Sequence, residues 1–189
     1  MKDQIGIPAV ESGHILLAEP FMWDENFKRS AIILCEHNAE GSLGFIMNRP
    51  LNMSVNELIE DFPEIESEVF FGGPVQTDTI HYIHTAGDFL DDSVKIINNV
   101  YWGGSFEKLK FLIDTQLITK DDIRFFVGYS GWSSGQLEHE MERGSWLMAP
   151  MFANYLFKSD PNRLWKTIMH NKGNAYTVIA QMPDTIDWN

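Results

Sequence analysis

Residues 124–147, RFFVGYSGWSSGQLEHEMERGSWL, constrain the fold more than any other stretch of this chain. The run at residues 124–127 reads as a hydrophobic strand, followed by a loop carrying Gly128, Gly131, Trp132, Ser133, Ser134 and Gly135. A short, heavily charged helix is expected to begin near Gln136. Strand–loop–helix units bring free backbone N–H groups and side chains to one surface point. A binding or catalytic site is therefore expected at this loop.

The remaining chain supplies hairpins and scattered helices. Residues 14–19 (HILLAE) read as a strand stopped by Pro20, and residues 31–35 read as a buried aliphatic strand. Gly41 and Gly44 mark a turn, so residues 31–47 form a hairpin with a longer loop. Ser54 and Glu57 have capping-box spacing, and Val55, Leu58, Ile59 and Phe62 predict an amphipathic helix ended by Pro63. Short strands are expected at residues 69–71, 80–85 and 94–97, with a helix after Ser105. Asp160 and Pro161 start a helix whose Leu164, Trp165, Ile168 and Met169 face the core. Residues 176–180 read as a final strand, and residues 1–12 and 182–189 as irregular termini. No repeat or linker divides the 189 residues, so a single domain of broad α/β class (α+β-like) is expected.

Charge excludes some functions. The formal net charge is −13, from 14 basic and 27 acidic residues. Nucleic-acid affinity comes mainly from Lys and Arg on phosphates, and no basic run occurs, which argues against direct DNA binding. The balance leaves room for a small local basic patch and for a basic protein partner. The apolar runs are too short for membrane insertion, and the first ten residues do not read as a signal peptide. Lone Cys35 fits a reducing compartment, so a cytoplasmic protein is expected.

The motifs resemble those of the YqgE/AlgH family of uncharacterised bacterial proteins. They are GHILLAEP at residues 13–20, Glu36–His37 with Gly41 and Gly44, FIMNRP at residues 45–50, and FGGPVQ at residues 71–76. His84, GYSGWSSGQLEHE at residues 128–140 and Trp146–Leu147 follow in the same order. The resemblance covers roughly residues 13–157; its GYxGW…GQLExE block is specific. It implies a bifurcated mixed sheet curled into a pseudo-barrel with flanking helices, and a frequent label of transcriptional regulator. It brings no established catalytic residues. Many relatives have AGWGPGQ or AGWAPGQ where this chain has SGWSSGQ, so a role for the Ser133 and Ser134 hydroxyls does not extend across the family.

Catalytic motifs each lack a required residue. A serine elbow needs Gly-x-Ser-x-Gly, but Gly131 falls one position early and Trp132 takes the required site. HEMER at residues 139–143 places Arg143 where the zinc motif needs a second histidine. His81 and His84 point to opposite faces if they share a strand. Glu138, Glu140 and Glu142 oppose a phosphate at the following helix, and Ser133 with Gln136 has capping-box spacing. No metal site or cofactor is expected.

The candidate ligand or partner surface comprises Asn48, Arg49, Gly72, Gly73, Pro74, Trp132, Gln136, Glu138 and Glu140. Trp132 is either an exposed aromatic anchor or core. Asn48 and Arg49 either cap backbone carbonyls or bind an anionic group. The leading expectation is a non-enzymatic binding or regulatory module for an unknown protein or small molecule. An uncharacterised hydrolase using His37, His84 or His139 with a glutamate is the alternative, and transcriptional regulation rests on the family label alone.

Overall fold

In the computed structural model, which describes residues 9–182, two aliphatic runs lie side by side and are buried on both faces. They are β1 (His14–Ala18) and β2 (Ala31–Asn38). Ile15, Leu17, Ala31, Ile33 and Cys35 join one core, whereas Leu16, Ala18, Ile32 and Leu34 join another. Alternation across a strand, with apolar residues on both sides, explains why neither run has a polar period.

The other strands are β3 (Gly41–Ile46), β4 (Pro50–Ser54), β5 (Glu68–Phe71), β6 (Val75–His84), β7 (Val94–Ile97), β8 (Val100–Trp102), β9 (Ile123–Ser133) and β10 (Trp146–Pro150). The path runs β10-β1-β2-β3-β9-β6-β8-β7 in a ten-stranded sheet, with β4 and β5 off it. The β5–β9 pair is parallel, and the remaining pairs are antiparallel. The sheet branches at β9. Its residues 125–127 pair with β5, residues 130–133 pair with β3, and β6 accompanies it from Ile123 to Tyr129. The change of partner occurs across Gly128, whose φ of +65° lies in the left-handed region.

The sheet is open rather than closed into a barrel, but it curls enough for β7 to pack against β2. The curl encloses Phe45, Met47, Phe70, Phe126, Ile83 and Val100. Helix α4 (Pro161–Asn171) covers this core with Leu164, Trp165, Ile168 and Met169, joined by α3 (Ala153–Phe157). Asp160 caps α4 by accepting from Asn162 N–H at 3.0 Å. Helix α1 (Phe106–Asp114) packs Leu109, Leu112 and Ile113 beside Phe125, and α2 (Gln136–Glu142) covers the β1–β3 face with Leu137 and Met141.

Several expectations change. The loop expected after residue 127 is mostly strand, because β9 continues through Ser133. The hairpin of β2 and β3 has a tight turn at Ala39 and Glu40, with Gly41 and Gly44 inside β3. At Gly44 an added Cβ would lie 2.6 Å from the Ile33 carbonyl oxygen, so glycine there permits close strand approach. The expected helix after Ser54 is a single 3-10 turn, Val55–Glu57. Ser54 N–H does donate to Glu57 Oε2 at 2.6 Å, but the Asn56 amide donates to the Phe62 and Pro63 carbonyls at 3.0 Å. Those bonds fold the segment back before a second turn forms.

Residues 176–180 are helical, within α5 (Asn174–Ala180), because the chain reverses at Gly173 and packs against α4 rather than reaching a sheet edge. The expected irregular termini fall largely on residues 1–8 and 183–189, outside the described residues. Among the described residues, no helix is long and apolar enough to cross a membrane.

Candidate functional site

Trp132 is core. It is 6% exposed and packs with Trp146, Leu137 and Met141, so it is not an exposed anchor. Its indole Nε1–H donates to Glu140 Oε2 at 2.9 Å, and the Trp146 indole donates to the same oxygen at 2.8 Å. Gln136 Nε2 donates to the other Glu140 oxygen at 2.9 Å. Gln136 Oε1 also accepts from Ser133 N–H at 3.0 Å, the backbone half of the expected capping box. Gly135, at φ +73°, stands before the helix as its cap. Trp132, Gln136 and Glu140 are thus tied to one another and hold α2 on the sheet.

Asn48 and Arg49 bracket the segment between β1 and β2. Asn48 Oδ1 accepts from Ala31 N–H at 2.8 Å, while its amide donates to the Arg29 carbonyl at 3.0 Å. Arg49 donates to the carbonyls of Glu25 and Lys28 at 2.8 and 2.9 Å. Burial lowers the Arg49 pKa from its ordinary value, partly offset by Glu25 and Asp24. Both residues cap backbone carbonyls.

Gly72 and Gly73 are buried against β9, while Pro74 is exposed. A Cβ on Gly73 would lie 2.3 Å from the Tyr129 carbonyl carbon, and one on Gly128 would lie 2.5 Å from the Gly73 carbonyl oxygen. The Gly72 carbonyl accepts the Ser130 hydroxyl at 3.0 Å. Ser130 is fully buried within a strand, so it has neither the turn nor the access of a nucleophile.

An open groove of about 540 Å³ lies beside these elements. Leu43, Val75, Tyr129 and Gly131 line it, with Glu36, Asn38 and Glu40 around them. Glu36, Leu43 and Gly131 occupy successive strands at one register level, which places them on the same sheet face. Among the described residues no Lys, Arg or His lines this groove, and its two carboxylates, Glu36 and Glu40, are exposed. Of the expected surface, Trp132 borders this groove, whereas Asn48, Arg49 and Gly72–Pro74 do not line it. Spacing along the chain does not group Glu36 and Glu40 with the other groove residues. Their grouping depends on the turn at Ala39 and on β9 lying beside β3.

The opposite sheet face carries a second polar array. His37 Nδ1 lies 2.8 Å from Ser42 Oγ, and its Nε2 lies 3.6 Å from Glu138 Oε1. His139 lies 3.9 Å from Glu142, so Glu138 and Glu142 each face a histidine. His84 is fully buried; Nδ1 accepts from Ala86 N–H at 3.1 Å and Nε2 bonds the Gly103 carbonyl at 2.9 Å. Burial lowers the pKa of His84, partly offset by its Gly103 bond, and burial also lowers that of His81. Among the described residues, no group of three or more His, Cys, Asp or Glu side chains is placed to hold a metal ion.

The AlgH-like family model matches residues 15–177. A UPF0301 protein of Chlorobaculum tepidum is 44% identical over 175 residues, covering 93% of this chain and 94% of the relative. A UPF0301 protein of Cytophaga hutchinsonii is 38% identical, covering 90% of this chain and 94% of the relative. The solution structure of AlgH from Pseudomonas aeruginosa aligns with a TM-score of 0.69 at 29% identity, covering 92% of this chain and 95% of that one. A Corynebacterium diphtheriae crystal structure shares the fold, with a TM-score of 0.76 at 20% identity over 93% of this chain and 94% of that one. The family model and these full-length relatives place the chain in the AlgH-like family.

Proposed function

We propose that this chain is a cytoplasmic binding module without catalysis of its own, and that its groove takes a basic segment of a protein partner. The observation carrying this reading is the pairing of Glu36 and Glu40 around a groove of about 540 Å³ that, among the described residues, has no lining cation. Leu43, Val75 and Tyr129 supply apolar contact, and the carboxylates supply orientation and charge complementarity. The net charge of −13 favours a basic partner and opposes direct contact with DNA. From the surface expected at α2, Gln136 and Glu138 lie across the sheet from this groove, where Gln136 is engaged by Ser133 and Glu140 and Glu138 faces His37.

The test is fluorescence anisotropy of a labelled lysine- and arginine-rich peptide with wild type and Glu36→Gln/Glu40→Gln. Wild type binds, and the double variant binds about tenfold more weakly, equivalent to about 1.4 kcal/mol. Equal binding, or no binding by wild type at low salt, overturns the reading.

A hydrolase reading is favoured by one contact, the 2.8 Å approach of Ser42 Oγ to His37 Nδ1. Glu138 at 3.6 Å from the other ring nitrogen is too distant for a normal hydrogen bond, and Ser42 is 8% exposed. Fluorophosphonate labelling that disappears in Ser42→Ala would favour this reading over the binding module.

A further inference from the structure

Helices α4 and α5 and the two residues between them contain Arg163, Lys166 and Lys172 and no acidic residue, and Asp184 and Asp187 follow them in the sequence. The helical pair is therefore formally +3 with His170 neutral, although the whole chain is −13. Helices α4 and α5 place two of these cations, Arg163 and Lys166, on a concave surface, while Lys172 donates to the Met148 carbonyl. A cleft of about 310 Å³ lies between them, lined by Arg163, Lys166, Thr167, His170, Thr177 and Gln181, with Ala180 at one side. None of these residues lines the groove beside β3 and β9.

Arg163, Lys166, Thr167 and His170 follow three- and four-residue steps along α4, so they share one face. The opposite stripe of α4 is buried in the core, which fixes the orientation of the basic face. From α5, Thr177 Oγ1 lies 2.9 Å from His170 Nδ1 and 3.2 Å from the Gly173 carbonyl oxygen. These contacts join the end of α4 to α5. Among the described residues, the ion pairs involve neither Arg163 nor Lys166.

We propose that the cleft between α4 and α5 binds the phosphate group of a small phosphorylated molecule. Arg163 offers a planar fork of donors, Lys166 a compact charge, and Thr167 and Gln181 further hydrogen-bonding groups, while the Thr177 hydroxyl is engaged by His170 and the Gly173 carbonyl. This donor set exceeds what a carboxylate's two oxygens can use and matches a phosphate with three peripheral oxygens. The volume lies at the small end of ligand pockets, roughly 300–1,000 Å³. The cleft is therefore suited to a small ligand rather than an extended nucleic acid.

Inorganic pyrophosphate is the probe, titrated by calorimetry at about 0.15 M salt, where attraction across more than about 8 Å is screened. Tricarballylate, a tricarboxylate without phosphate, forms a parallel arm. Wild type should bind pyrophosphate more tightly than tricarballylate. Arg163→Gln/Lys166→Gln should weaken pyrophosphate binding at least tenfold. Glu36→Gln/Glu40→Gln should bind it as wild type does, separating this site from the groove. Both substituted side chains in the cleft variant are exposed, and circular dichroism checks that its fold is retained. No binding by wild type, equal binding by the cleft variant, or equal affinity for the two probes overturns the proposal.

Discussion

Trp132 donates its indole N–H to Glu140 Oε2 at 2.9 Å, joining β9 to the helix that follows it. Trp146 of β10 donates to the same oxygen, and the two indoles meet edge to face at 5.8 Å between centroids. One carboxylate therefore satisfies two buried ring donors and pins α2 across two strands. Hydrogen bonds to a charged acceptor contribute about 1.5–3 kcal/mol each, with incomplete additivity when they share an acceptor. Glu140→Ala is expected to lower unfolding free energy by about 3 kcal/mol, and Glu140→Gln by less, because a neutral amide oxygen is a weaker acceptor. Urea denaturation followed by tryptophan emission measures both. A loss below about 0.5 kcal/mol, typical of a surface change, removes the clamp from the account.

Gly73 tests the close packing of the glycine-rich turn against β9. Its φ of +152° and the 2.3 Å approach of an added Cβ to Tyr129 leave no room for a side chain. Gly73→Ala is expected to cost more than about 3 kcal/mol through strain and displaced backbone. Gly144→Ala, with φ +76° and nothing within 4 Å, should cost only about 1 kcal/mol. Thermal unfolding of the two variants separates lost space from backbone conformation. Equal losses would show that the contact with Tyr129 has no weight.

Cys35 is 3% exposed, and burial, then Glu36, raises its thiol pKa well above the ordinary value. The nucleophilic thiolate is accordingly scarce and screened from solvent. A disulfide-exchange reagent should label native protein only as fast as it opens, and denatured protein promptly. Rapid stoichiometric labelling without denaturant would contradict the packing at β2.

His84 makes stability depend on pH. Backbone Ala86 N–H donates to Nδ1, so that nitrogen needs its lone pair, and Nε2–H donates to the Gly103 carbonyl. Its folded pKa is lowered below 6.5 by burial, so the unfolded chain takes up the proton first as pH falls. The stabilisation is fully present above the unfolded value and declines through 6.5 towards the lower folded value. Urea midpoints from about pH 8 to pH 5 should fall for wild type and change less for His84→Gln. His81, also lowered by burial, accounts for part of the slope that remains. An identical slope in the variant would assign the effect elsewhere.

Much of the fold was legible because local signals and burial agreed. The Asp160 cap, Pro161 and the spacing of Leu164, Trp165, Ile168 and Met169 describe α4 without tertiary information. The apolar runs of β1 and β2 have room on both sides for core, and both sides are used. The glycine-rich stretch after residue 127 was harder to read. Gly128 bends β9, but the following residues retain strand pairing with β3. For residues 176–180, the β-branched Thr177, Val178 and Ile179 favoured a strand locally, whereas packing on α4 favours a helix.

The candidate site divides in the same way. Sequence alone determined the acidic character, the family motifs and the absence of complete nucleophile-elbow, zinc-helix and phosphate-loop patterns. Tertiary structure alone decided that Trp132 is buried and Glu140 joins two indoles. It also decided that Asn48 and Arg49 brace a segment roughly twenty residues away, and that Glu36 and Glu40 flank the groove. Spacing along the chain specifies neighbours within a helix or strand. It does not specify which distant carbonyl meets a guanidinium or which strand edge receives β9, because those contacts exist only after the sheet has curled and its cores have packed.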